Sequence, residues 1–238
     1  MDKYIFAAIA CVILVIGIYA FQFHSYEFSN DVDHWNQFGG YVGGVLGPLL
    51  SFLSYIMLIK SLSLQNAANA ALNEESKLNI KNEKMRSFEL HFFTLLSAQR
   101  ESFEYFKLEL DKGVYSSGIQ AVRELENRIE EMRGKNASDD DIKAYIKTVD
   151  SHEKIYNTQR VFFVITKMIS NKLSDENGFS SSDRKCQIET LINFTELSVL
   201  RIVLISMQFL NHKSSLLLRD NQELISVFDD LKLPFDAY

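Results

Sequence analysis

Cysteine and proline are nearly absent, with two of each in 238 residues. Cys11 and Cys186 stand far apart, which excludes a disulfide framework and a cysteine-rich metal site. Two prolines are far below the roughly 5% of an average chain, so long uninterrupted helices are allowed almost everywhere. Basic excess is missing too. Lys and Arg number 25 against 31 Asp and Glu, a net charge of −6, which argues against a general nucleic-acid binder. What the chain does have is apolar residues, 47% of the total, too many for a disordered polymer. The mean hydropathy of −0.06 hides their concentration at the front.

Tyr4 to Phe23 is a run of 20 residues without a charge. At 1.5 Å per residue such a helix reaches about 30 Å, one hydrocarbon thickness. Phe38 to Ile59 is a second uncharged run, of 22 residues. The two are expected to be membrane spans, at about 4–23 and 38–59. A cleaved signal peptide is the rival reading of the first run. It fits less well, because the run exceeds the usual roughly 7–15 apolar residues and no small-x-small site follows Phe23. The connection carries Glu27, Asp31 and Asp33 but no Lys or Arg, whereas Lys3 precedes the first run and Lys60, Lys77, Lys81, Lys84 and Arg86 follow the second. Positive charge marks the retained side, so a helical hairpin with both termini cytoplasmic is expected, with Trp35 at the membrane interface. The expected domains are therefore a transmembrane hairpin, 1–59, and a cytoplasmic helical domain, 60–238.

Half of the chain's ten glycines, Gly39, Gly40, Gly43, Gly44 and Gly47, fall within the second run. Spacing by four places them on one side of a helix, and small-xxx-small faces let helix backbones approach closely in lipid. Pro48 follows at once and is expected to kink the helix or free carbonyls one turn back. Two uses of this face stay open: packing against the first span, or self-association into a homo-oligomer. No Asp, Glu, Lys, Arg or His lies inside either run, so a proton relay, a voltage sensor or a charged-substrate pathway is not expected.

The remainder reads as all-α. Leu62 to about Leu110 is expected as one long helix or two abutting ones, continuous with the second run, with a helix-favouring Asn66–Leu72 stretch. Ile119, Val122, Leu125, Ile129 and Met132 repeat at helical spacing and stop at Gly134. Ser138 with Asp141 makes a capping-box start. A helix from about Ser151 to Leu173, a polar loop at 174–182, and one long buried helix from Asp183 to Leu210 complete most of the chain. A last short helix opens at Asp220 with Glu223 and stops near Pro234. Alternating strand patterns and hairpin turn signals are lacking.

Chemistry-bearing motifs are also missing. The chain has no Gly-rich phosphate loop, no GxSxG elbow and no His-Glu-x-x-His, and its five histidines are not paired at ligand spacing. No catalytic, cofactor or metal residue is assigned, and no enzyme activity is expected. One pattern stands out: Arg86 and His91 fit the Arg-x4-His spacing that resembles HEPN-type ribonucleases. Side chains five apart lie about 140° apart on a continuous helix, so a juxtamembrane basic residue and an ordinary helix residue are the preferred reading.

The segment Phe38-Gly-Gly-Tyr-Val-Gly-Gly-Val-Leu-Gly-Pro-Leu-Leu-Ser-Phe-Leu-Ser with Leu64-Gln65 resembles the signature of phage abortive infection proteins of the AbiC-like family. Phe88-Glu89-Leu90-His91-Phe92-Phe93-Thr94-Leu95-Leu96 is similar to that family's Phe-Glu-x-x-Phe-Phe-x-Leu-Leu, with His91 where relatives carry a small polar residue. Tyr156–Ile169 is similar to its aromatic-rich helix, with a departure at Gln159-Arg160-Val161-Phe162-Phe163. Cys186–Ser206 resembles its late helix. The resemblance implies a toxic effector of antiphage defence in the bacterial inner membrane, restrained by a partner such as a retron reverse transcriptase with its multicopy single-stranded DNA. The alternatives are a membrane-anchored HEPN-like ribonuclease and a non-catalytic membrane adaptor. From Lys60 onward 24 basic residues face 27 acidic ones, so contact with a protein partner is expected rather than direct nucleic-acid binding.

Overall fold

The computed structural model describes residues 2–25, 27, 29–111, 113–233 and 238. Among them are nine α-helices and one two-stranded sheet, so the chain is nearly all helical, as its proline scarcity and periodicity lead one to expect. It divides into two compact units, Met1–Lys77 and Leu78–Tyr238, each taken by itself below.

The first unit is built on α1 (Asp2–Gln22) and the leading part of α2 (Val32–Glu104). The two run antiparallel. Near the connection, the Tyr19 ring lies 4.7 Å from Phe38 and 5.4 Å from Tyr41, while at the other end Lys60 Nζ donates to Tyr4 Oη at 3.4 Å. The connection is tied down by Trp35 Nε1, which donates to the Ser29 carbonyl, and by Asp31, which accepts the Asp33 amide as α2 begins. The second apolar run passes into the polar part of the helix without a break, and α2 continues through Pro48. A proline there has no N–H for the Gly44 carbonyl, the loss of one bond in a very long ladder.

The second unit is packed around a helix that is buried on two faces. In α7 (Leu197–Phe209), Leu200, Val203, Leu204 and Met207 belong to one hydrophobic cluster, with Phe88 and Phe92 of α2 and with α5 (Lys154–Lys172), α6 (Ser181–Phe194) and α9 (Gln222–Asp230). Its other face, Val199, Ile202, Ile205 and Phe209, belongs to a second cluster with α3 (Gly118–Gly134) and α4 (Asp139–Val149). Burial on both sides explains why its polar surface is reduced to Arg201 and Gln208.

Three expectations need correction. A β-hairpin, β1 (Lys107–Asp111) and β2 (Val114–Ser117), lies between α2 and α3, with Lys107 opposite Ser117 and Leu108 opposite Ser116. Its alternation is only a few residues long, too short to register as a strand, and its stability comes from burying Leu108 in the second cluster. Gly113 makes the turn at a φ of 80°. The helix expected over 183–210 is two helices, α6 and α7, meeting at 115°. Thr195 ends the first of them in extended conformation, its hydroxyl shared between the Leu191 carbonyl at 2.7 Å and Gln99 Oε1 at 3.2 Å. Finally, α9 is capped not by Asp220 but by Asn221, whose Oδ1 accepts the Glu223 and Leu224 amides. It is preceded by a short helix, α8 (Lys213–Arg219), that periodicity did not disclose. The stop near Pro234 lies outside the described residues.

Capping is the local device read correctly at Ser138, and it recurs at Ser180 with Asp183. The hydroxyl and amide of Ser138 hold the Asp141 carboxyl below its ordinary value of 3.8, and Ser180 does the same for Asp183. A depressed folded-state pKa contributes stability that is present above the unfolded value and is lost as pH falls through the folded one. Ser138→Ala and Ser180→Ala should therefore lower the melting temperature by a few degrees at neutral pH, with the difference from wild type shrinking below about pH 4. A difference that grew on acidification would contradict the capping role.

Candidate functional site

The two apolar helices of the first unit present two different faces. Toward α1, α2 turns Phe38, Val42, Leu46, Leu53 and Met57, all partly covered, and α1 answers with Tyr4, Ala8, Val12, Val15 and Tyr19 at three- and four-residue spacing. Val15 is the most enclosed, at 3% exposed. The glycines are elsewhere. Gly39, Gly40, Gly43, Gly44 and Gly47 are exposed, as is Pro48, and a methyl group built on any of the five glycines meets nothing within 4 Å beyond its own helix backbone. A side chain added at any of these glycines would therefore not meet the first helix in this structure. Their face is free and smooth, and Val45, Leu49 and Phe52 are exposed elsewhere around the same helix.

Length and composition let both helices cross a bilayer. The Lys3–Gln22 stretch has a mean hydropathy of 2.6, and the best window of α2 reaches 2.0 with none of it buried within the protein. A third apolar stretch, the bent pair α6 and α7, differs in kind: α7 is enclosed by both hydrophobic clusters, and its surroundings are the protein's own side chains. Polar atoms near the glycine face are few. Ser54 turns its hydroxyl back on the Leu50 carbonyl at 2.8 Å, which satisfies it within the helix.

The other sequence candidates do not form a site. Arg86 and His91 are both exposed on α2. Arg86 borders a shallow surface depression with Glu89, Leu90, Phe93, Thr94 and Ser97, and His91 is not among the residues lining it. One carboxylate of the second unit, Asp150, is raised above its usual range by burial, while its oxygens accept the Ile155 and Tyr156 amides at 2.8 and 3.0 Å. That geometry closes the first turn of α5, whose preceding residue Glu153 sits at a φ of 55°, and serves architecture. Among the described residues, no three His, Cys, Asp or Glu side chains gather as a metal site. Cys11 and Cys186 are both free thiols.

Sequence reasoning missed one constellation altogether. Glu126, Arg133, Arg201, Gln208 and Tyr238 converge across more than 100 positions of chain by hydrogen bonds that no local spacing announces. Comparison with known proteins adds nothing to these observations: no family model, no curated protein and no solved structure matches the chain.

Proposed function

We propose that this chain is a membrane effector of bacterial antiphage defence, an abortive-infection toxin that damages the inner membrane by assembling through its glycine face. In this reading the two apolar helices insert as a hairpin, with the acidic connection outside and both termini in the cytoplasm. The observation that carries it is the division of labour on α2: one side is already occupied by α1, and the glycine-lined side next to it is open. In lipid the hydrophobic effect does not drive helices together, and close backbone approach over small residues does. An open glycine face on a finished hairpin therefore suits a homo-oligomer better than a simple anchor.

The helical second unit is the part suited to control. The resemblance of the Phe38–Ser54 segment to AbiC-like proteins supports restraint by a partner, a reverse transcriptase with its DNA being the implied one. Protein contact through helical faces fits the acidic balance of that unit, and direct nucleic-acid binding does not. No catalytic, cofactor or metal role is part of the proposal.

The test is induction of the chain in a bacterial host carrying a membrane-potential dye. Depolarisation should precede loss of viability, and Arg86→Ala with His91→Ala should depolarise as wild type does. Killing with the potential intact, or killing abolished by that double substitution, would return the spans to an anchoring role and favour the ribonuclease reading.

A further inference from the structure

Tyr238 is held by more specific contacts than any other residue near the end of the described chain. Its phenol hydroxyl donates to Glu126, and Glu126 is itself oriented by Arg201, whose Nη1 donates to Oε2 at 2.8 Å. Its main chain is read separately. Gln208 Oε1 accepts the Tyr238 amide at 3.1 Å while Gln208 Nε2 donates to the Tyr238 carbonyl oxygen at 2.5 Å, and Arg133 Nη2 donates to the same oxygen at 3.0 Å. The ring packs against side chains of both hydrophobic clusters. Burial first, and then the bond to Glu126, push the phenol pKa upward, so the hydroxyl keeps its proton as donor.

The frame around this residue is regular. Glu126 and Arg133 are seven residues apart on α3, and Arg201 and Gln208 are seven apart on α7, two turns or roughly 10 Å in each case. From Ser198 to Leu210, Arg201 and Gln208 are the positions of α7 and its cap that are not fully buried. Gln208 bonds Tyr238 directly, and Arg201 acts on it through Glu126. A carboxylate for a phenol, an amide for a peptide group and a guanidinium for a carbonyl oxygen make a reader of one tyrosine residue, side chain and main chain together.

We propose that the cleft between α3 and α7 is a peptide-binding site for a tyrosine residue, which the chain fills with its own Tyr238 as a removable latch. The occupant in the resting protein is the chain's own Tyr238, and a tyrosine-bearing peptide segment of a partner is the chemistry that would displace it. This inference is independent of the glycine face and of the membrane reading.

The experiment uses the full chain in detergent and a fluorescent synthetic peptide of residues 231–238. Tyr238→Ala should keep the helical circular dichroism of wild type, expose the 118–134 segment to faster hydrogen exchange, and bind the peptide saturably. Wild type should bind the same peptide at least about tenfold more weakly, because its cleft is filled. Replacing the peptide's tyrosine by phenylalanine, or adding Gln208→Ala to the acceptor chain, should each cost about tenfold in affinity, the loss of a hydrogen bond to a charged or well-oriented group. Tyr238→Phe in the full chain should raise peptide binding toward the Tyr238→Ala level. A Tyr238→Ala chain that unfolds, that binds no peptide, or that binds no better than wild type overturns the proposal, since a latch must be separable from the fold it closes.

Discussion

Gly43→Leu and Gly47→Leu should abolish membrane depolarisation while leaving the amount of protein in the membrane at the wild-type level. Leucine partitions into lipid better than glycine, so insertion is not impaired. Within one chain the added side chain meets nothing, because a methyl built at either position has open space around it. The hairpin itself is held by the other face, through Val15, Tyr19, Phe38 and their neighbours, and is untouched. Only a contact between copies would feel the bulk. Even about 1.4 kcal/mol of lost close packing lowers association about tenfold, and a face of several contacts multiplies that loss. Depolarisation and protein level are measured on the same induced cells. Full depolarisation by normally abundant variants would exclude assembly through this face. A drop in abundance alone would mean that the glycines serve the single hairpin after all.

The second large effect concerns α7. Ile205→Ala and Met207→Ala should each destabilise the second unit by about 2–5 kcal/mol, the usual cost of emptying a fully buried site of that size. The two residues lie on opposite faces, Ile205 in the cluster with α3 and α4 and Met207 in the cluster with α2, α5 and α6, and both are fully buried. Against a typical total stability of about 5–15 kcal/mol, either loss is large enough to shift a chain toward proteolysis in the cell. Denaturant midpoints of the full chain in detergent would measure it. Loss below about 1 kcal/mol at both positions would mean that α7 is not enclosed by protein, and would revive the idea that α6 and α7 cross the bilayer as a broken span.

Much of the fold was legible because it is local. The lack of any proline between Pro48 and Pro234 and the uninterrupted period made continuity of α2 beyond the second apolar run foreseeable, and the helix does run Val32–Glu104. Ser138 with Asp141 announced its cap because a capping box needs only four residues of sequence. The break at Thr195 was not legible, since nothing nearby forbids a helix there and the hydroxyl's second partner, Gln99, lies far back in the chain. The hairpin at 107–117 was missed for a related reason: its strands are short, and Leu108 holds them in place only by packing on α3 and α4. Of the candidate site, the glycine spacing was readable, and which side of the helix stayed open was not.

That division has one physical cause. By itself the sequence determined the two long apolar helices, the nearly all-helical class and the helix start at Ser138, since propensity, hydrophobic period and capping act within a few residues along the chain. Tertiary structure alone decided three things: which face of α2 receives α1, how α7 is shared between two clusters, and where Glu126, Arg133, Arg201 and Gln208 meet Tyr238. Each depends on contacts between residues distant in sequence, and a periodic pattern marks a face as apolar or small without naming what will cover it.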